Sequence, residues 1–456
     1  MLHMFKRAGM NLVLDVGSGA IHVLDAPAFA LLEVVDEAAM RNGQMGELPK
    51  ELQKTYGQPA LEDAFGELCA LVHEGLLYGD DDYREFACAL GPAPVKAMCL
   101  HMAHDCNLRC KYCFASTGGF GGKRALMPFS VAKQAIDLLV ALSEERHNLE
   151  VDFFGGEPLM NMDVVRQTVD YARSIEKDAG KNFRFTITTN GLALNDDTID
   201  YINQEMANVV LSIDGRRKVH DAMRPLVNGD GSYDVILPKY KKLVAGRDKE
   251  YYVRGTYTRD NTDFDQDVLA LFEAGFDQIS VEPVVGPPED AYTLRESDIP
   301  AIEESYARLM EELAERRKKK DGDFNFFHFM LDLENGPCAI KRLKGCGSGN
   351  EYLAVTPTGE LYPCHQFVGN EDFIMGDVTR GITNPAMKEK FAQANLLNKT
   401  ECATCWAKYF CSGGCNANNY NLCGDILAPH ELSCKLEKIR LECAIALQAA
   451  VLLREN

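Results

Sequence analysis

The chain has 456 residues, 46% of them hydrophobic and 25% charged, with a formal net charge of −20. That size and balance predict a soluble globular protein of two or three domains. The acidic surplus argues against a nucleic-acid partner, which needs clustered Lys and Arg, and no apolar run approaches the length of a membrane span.

The first residues, "MLHMFKRAGMNLVLDVGSG", carry no signal-peptide cleavage pattern, so the expected compartment is the cytoplasm. Residues 11–25, "NLVLDVGSGAIHVLD", alternate apolar positions about a Gly-Ser-Gly turn and predict a β-hairpin. Helical patterns follow at 27–38, 48–56 and 60–75, which makes residues 1–90 a winged-helix-like module. Its acidity disfavours DNA. An exposed hairpin edge would instead capture an extended peptide by strand addition, the simpler alternative being a structural cap on the next domain.

From 91 to 320 the pattern alternates between the two periods. Strands are predicted at 95–103, 149–155, 183–189, 208–214, 251–258 and 278–285, with helices between them. Ser130 is the expected N-cap of the first of these helices. Six βα units are too few for a closed eight-stranded barrel, so the expected fold is α/β, a partial (β/α)6 barrel with its active site at the C-terminal strand ends. Those ends carry "CNLRCKYC" (106–113), "GGEP" (155–158), "TTNG" (188–191), "SIDG" (212–215) and "EP" (282–283). The basic run "RRKKK" (316–320) ends a helical pattern, where cations complement the helix dipole. From 321 to 456 Gly, Asn and Cys rise, predicting a loop-rich domain organised by metal and closed by a helix from about 431.

Sixteen cysteines are many for a reducing compartment, and their distribution points to metal: none lies between Cys113 and Cys338. Zinc prefers four ligands, whereas Cys106, Cys110 and Cys113 stop at three. A [4Fe–4S] cube on three thiolates leaves one iron open, which is what S-adenosylmethionine (SAM) needs in order to chelate it and be cleaved reductively. The other strand tips supply complementary groups. Tyr112 precedes the last Cys, Gly155 and Gly156 let backbone approach, and Glu157 can accept from the SAM ammonium. Asn190 sits on the next tip, Ser212 and Asp214 suit ribose hydroxyls, and Arg224 suits the SAM carboxylate. With these residues the sequence resembles the radical SAM superfamily.

Downstream, Cys346, Cys364, "CATCWAKYFCSGGC" (402–415) and Cys434 suit two clusters better than one zinc. The pattern resembles the SPASM domain. That resemblance implies an outer auxiliary cluster on Cys402, Cys405, Cys411 and Cys434 and an inner one on Cys346, Cys364 and Cys415. Cys338 is the possible fourth inner ligand; otherwise that iron is open to a substrate thiolate. The remaining cysteines (69, 88, 99, 423 and 443) read as buried small hydrophobes, and Trp406 as a shield for a cluster. His365 reads as a packing residue, the sharper alternative being a general base, since sulfatase-maturing relatives carry an acid at this place.

More narrowly, "AHDCNLRCKYCFASTG", "NLEVDFFGGEPLMN", "GCGSGNEYLAVTP" and "YPCHQFVGNE" are similar to maturases of six-cysteine (SCIFF) peptides. The resemblance implies three [4Fe–4S] clusters, SAM, and a Cys-rich precursor peptide with a leader as substrate. It further implies a reduced ferredoxin- or flavodoxin-type electron donor and the formation of intramolecular thioether bonds. The alternatives are an anaerobic sulfatase-maturating enzyme and a non-enzymatic iron–sulfur redox protein, the latter having no use for the strand-tip groups.

Overall fold

The computed structural model describes every residue except 82, 84–85, 87–89, 320–321, 332, 334–338 and 456, so Cys88 and Cys338 lie outside the described residues. The chain opens on a three-stranded antiparallel sheet, β1 (Leu2–Arg7), β2 (Met10–Asp15) and β3 (Ile21–Leu24), in the order β1-β2-β3. The sequence pattern foresaw the β2–β3 hairpin and missed β1, whose single buried residue, Phe5, gives no clear alternation. Four helices follow, the last being Gln58–His73, and they bury Phe29, Leu31, Leu61, Phe65 and Leu68 in a core separate from that of the rest of the chain.

The six expected strands are all present: β4 (Ala97–Ala103), β5 (Asn148–Gly155), β6 (Asn182–Thr189), β7 (Asn208–Ser212), β8 (Glu250–Tyr257) and β9 (Gln278–Pro283). They lie side by side and parallel. Period-two burial decides their orientation: Leu149, Val151 and Phe153 of β5, and Phe183, Phe185 and Ile187 of β6, bury in the main core. Their alternates (Asp152 and Phe154; Thr186 and Thr188) face the other way. Helix Phe129–Leu142 starts from Pro128, so Ser130 lies inside its first turn and is not the N-cap. Proline fixes an extended entry, which places the boundary two residues earlier.

The sheet is larger than six strands. β10 (Asn325–Phe326) adds parallel to β9, and β11 (Tyr352–Val355) adds parallel to β4. β12 (Glu360–Tyr362), β13 (Gly376–Asp377) and β14 (Gly381–Ile382) then extend it antiparallel, making eleven strands among the described residues. The C-terminal domain therefore covers the edge that β4 would otherwise expose. The final helix, Glu431–Glu455, packs along helix Ile299–Lys319 and against β1. Arg7 fastens that contact, reaching Glu442 at 2.9 Å and Glu303 at 2.8 Å. Among the described residues no helix is long and apolar enough to cross a membrane.

Candidate active site

A cavity of about 400 Å³ opens at the C-terminal ends of the parallel strands. Cys106, Cys110 and Cys113 line it together with Gly155, Gly156, Glu157, Asn190, Ser212 and Arg224. Residues more than a hundred positions apart thus meet because each ends or follows a neighbouring strand of one curled sheet.

The cysteine loop is held by backbone. Arg109 and Lys111 donate their N–H groups to Pro225 and Met223 at 2.9 Å, and Asp105 caps the Cys106 N–H at 2.8 Å. The glycines of "GGEP" are required by contact: a Cβ on Gly156 would stand 2.0 Å from the Asp105 carbonyl oxygen. Gly155 also has φ +114°, a conformation side chains rarely adopt. Gly156 and Glu157 donate N–H groups to Ala103 and Asp105 at 2.7 and 3.0 Å, locking the two loops together.

Glu157 is buried, and its carboxylate accepts from Thr189 Oγ1 at 2.7 Å, Asn190 N–H at 2.8 Å and Leu159 N–H at 3.0 Å. Burial nevertheless pushes it up to about 7, because desolvation outweighs those donors. Asn190 donates its side chain to Asn107 at 2.8 Å and lies 3.5 Å from the Cys106 sulfur.

Asp214 has a positioning role that the sequence did not suggest. It has no exposed surface, accepts from the Tyr112 hydroxyl at 2.6 Å and from the Thr256 N–H at 3.0 Å, and lies 3.0 Å from Arg224 Nε. Its carboxylate fixes Tyr112 and Arg224, while Ser212 and Thr256 line the cavity. Arg224 Nε pairs with Asp214 at 3.0 Å, and the buried guanidinium also lines the cavity. A guanidinium at the wall of a cavity suits an added carboxylate.

The remaining sulfurs fall into two further groups. Cys364 lies within electrostatic reach of Cys346 and Cys415. Cys411 feels Cys402 and Cys434, and Cys434 feels Cys402 and Cys405. Burial pushes Cys106, Cys364 and Cys411 up to about 12, so a cation must accompany any set of thiolates here. Among the described residues no three His, Cys, Asp or Glu side chains converge closely enough to hold a single metal ion. The donors of a cubane sit on separate irons, farther apart.

Lys399 escaped the sequence reading. It is 1% exposed, donates Nζ to Gly413 O at 2.7 Å and Asn416 Oδ1 at 2.9 Å, and senses Cys402 and Cys411 of one group and Cys346 and Cys415 of the other. A buried ammonium with two neutral acceptors needs anionic company, which two thiolate-ligated clusters would supply. Nothing in "NKTEC" marks it as buried.

His365 lines the cavity, its ring centre 4.9 Å from that of Phe154 and 5.5 Å from that of Phe114, and burial lowers it to about 4. Trp406 has a partner that the sequence did not suggest: it stacks on His3 at 3.7 Å, joining β1 to the loop that carries Cys405. Cys99 and Cys443 are buried as expected, Cys69 is half-buried, and Cys423 is exposed because it ends a surface helix.

Residues 100–248 match the family model described as the radical SAM superfamily, and residues 346–406 match SPASM, an iron–sulfur cluster-binding domain. The chain is an enzyme of the radical SAM family with a C-terminal SPASM domain. The first domain binds a [4Fe–4S] cluster and SAM, and the second binds auxiliary iron–sulfur clusters. Among known proteins, a cysteine-type anaerobic sulfatase-maturating enzyme of Clostridium novyi is 26% identical, over 69% of this chain and 86% of the relative. The structure of native anSMEcpe with bound AdoMet superposes with a TM-score of 0.65 at 16% identity, covering 78% of this chain and 99% of that one. SuiB of Streptococcus suis bound to its precursor peptide SuiA gives 0.54 at 15% identity, covering 94% of this chain and 98% of that one.

Proposed function

We propose that the enzyme forms intramolecular thioether cross-links in a ribosomally made, Cys-rich precursor peptide whose leader docks on the N-terminal module. The observation that carries this reading is an unpaired strand edge. β3 pairs with β2 on one side and with no strand on the other among the described residues, while β1 is covered by the C-terminal helix. An extended leader would add there as a fourth strand. The breadth of the structural match supports the reading: SuiB, bound to a precursor peptide, spans 94% of this chain, and the Clostridium novyi sulfatase-maturating relative spans 69%.

Cys106, Cys110 and Cys113 would hold the first cluster, with Glu157 receiving the SAM ammonium, Arg224 its carboxylate and Ser212 a ribose hydroxyl. Cys346, Cys364 and Cys415 would hold the inner auxiliary cluster, completed by Cys338 or by a substrate thiolate. Cys402, Cys405, Cys411 and Cys434 would hold the outer one. When bound, cluster and SAM supply abstraction of a hydrogen atom from an unactivated carbon. The chain's own residues do the positioning. Asp214 clamps Tyr112 and Arg224, the glycines of "GGEP" bring two loops into contact, and the Phe114, Phe154 and His365 rings wall the cavity. Electrons would come from a reduced ferredoxin- or flavodoxin-type donor in the cytoplasm.

Mass spectrometry of a Cys-rich precursor after anaerobic incubation with reduced enzyme and SAM tests the proposal. The expected product has lost two hydrogens per bond and resists thiol alkylation at the cross-linked Cys, and Val23→Pro in β3 weakens leader binding at least tenfold. Conversion of one Cys to formylglycine would instead establish the sulfatase-maturating chemistry, and absence of 5′-deoxyadenosine would overturn any radical reading.

A further inference from the structure

A second cavity, of about 340 Å³, lies on the other side of the β9 tip and is lined by Cys411, Cys415 and Cys434. The two cavities share a short wall, residues 282–285 and Asn418. In that wall only Glu282 ionises. It lines both the cavity of Cys106, Cys110 and Cys113 and the cavity of Cys411, Cys415 and Cys434.

The rest of its surroundings are built to hold a carboxylate. Ser280 Oγ donates to Glu282 Oε1 at 2.6 Å, and His328 Nε2 lies 3.0 Å from Oε2. The Tyr306 hydroxyl is 2.9 Å from His328 Nδ1, and the other ring nitrogen donates to the carboxylate. Arg440 donates to the His328 carbonyl at 2.7 Å, fixing the ring's backbone. Tyr306 and His328 are buried, whereas the Glu282 side chain is 28% exposed, so the carboxylate is the open end of a Tyr–His–Glu chain. The positive Arg254, on β8 and lining the radical cavity, also acts on it. His328 and Arg254 together hold Glu282 below the usual carboxylate range despite its burial, which keeps it ionised.

We propose that Glu282 is the catalytic base that takes the proton released when the substrate's sulfur bonds to carbon. The assignment rests on thioether formation as the reaction, with Cys338 closing the inner cluster and the substrate sulfur arriving as a thiol. The bond formed is C–S. The bonds broken are C–H, whose hydrogen atom leaves in 5′-deoxyadenosine, and S–H, whose proton passes to Glu282. The peptide gives up two electrons, one with the hydrogen atom and one through the auxiliary iron–sulfur clusters. Together they account for the reduction of SAM to methionine and 5′-deoxyadenosine. A weak base suffices, because a sulfur that is losing an electron holds its proton far less tightly than a resting thiol does.

The experiment compares wild type, Glu282→Gln, Glu282→Asp and His328→Asn with one Cys-rich precursor, reading cross-links formed per 5′-deoxyadenosine alongside iron per chain and peptide affinity. For Glu282→Gln the ratio is expected to fall ~100-fold, the lower end of what a lost general base costs. Glu282→Asp should recover part of it and His328→Asn should lower it less, with iron and peptide affinity held. A purely structural role would lower cross-links and 5′-deoxyadenosine together, leaving the ratio unmoved; that result, or a wild-type ratio in both Glu282→Gln and His328→Asn, overturns the assignment. Should Glu282→Gln lose its iron, the His328→Asn ratio decides. A wild-type enzyme that makes no thioether sinks the functional reading and this one with it, and so is told apart from failure at Glu282 alone.

Discussion

Replacing Gly156 by Ala adds one methyl group at the tightest contact of the site. The new Cβ would stand 2.0 Å from the Asp105 carbonyl oxygen, 2.6 Å from its carbon and 3.1 Å from Gly118 Cα. A carbon–oxygen contact needs about 3.3 Å, so the "GGEP" loop must retreat from the cysteine loop by ~1.3 Å. Sideways escape is closed by Gly118, and the N–H groups of Gly156 and Glu157 tie the loop to Ala103 and Asp105. Overpacking of this kind costs about 1–3 kcal/mol, and misplacement near 1 Å costs ~100-fold in rate. The paired control is Gly66→Ala in helix Gln58–His73, where the added Cβ meets nothing within 4 Å and φ is not positive. There Ala should stabilise by about 1 kcal/mol through helix propensity. The assay is 5′-deoxyadenosine formation and iron content after anaerobic reconstitution, with thermal unfolding of each variant. A Gly156→Ala enzyme that loads iron and cleaves SAM like wild type would refute the close approach of the two loops.

Three further outcomes follow from packing and charge. Glu351 is buried among Lys96 (2.8 Å), Lys344 (3.4 Å) and Arg146 (3.5 Å), which hold it below its ordinary value of 4.5. A depressed carboxylate stabilises above its unfolded value and loses that contribution as pH falls through the folded one. Glu351→Gln should therefore cost ~2 kcal/mol at neutral pH and progressively less in acid, read by denaturation at several pH values. A cost independent of pH would contradict the ion-pair account. Trp406→Ala removes the stack on His3 and should loosen β1 by about 1 kcal/mol, seen as faster amide exchange at residues 2–7. Lys399→Met removes a buried cation from between two cysteine groups, so potentiometry should find the auxiliary clusters harder to reduce. Unmoved potentials would exclude the shared counter-ion role.

Much of this protein was legible from local pattern. Period-two alternation located β4 to β9 to within two residues at nearly every end, because each strand buries one face under helices and the chain must write that face in sequence. The spacing of Cys106, Cys110 and Cys113 was equally readable, since it lies within one loop. Groups whose roles depend on neighbours far along the chain could not be read. Asp214 read only as a ribose ligand, and folding alone shows that it holds Tyr112 and Arg224, 102 positions before it and 10 after. β11 is too short to announce a partner, and its pairing with β4 spans some 250 residues. Lys399 was an ordinary charged residue in sequence, and Glu282 was legible only as part of a strand-end "EP"; one lies between two cysteine groups and the other between two cavities only after folding. The sequence by itself determined β4 to β9, the triple-cysteine loop and the glycines, because those follow from short-range geometry. Only the tertiary structure decided which polar groups stay available, since burial and hydrogen-bond satisfaction belong to the assembled neighbourhood and to no single segment.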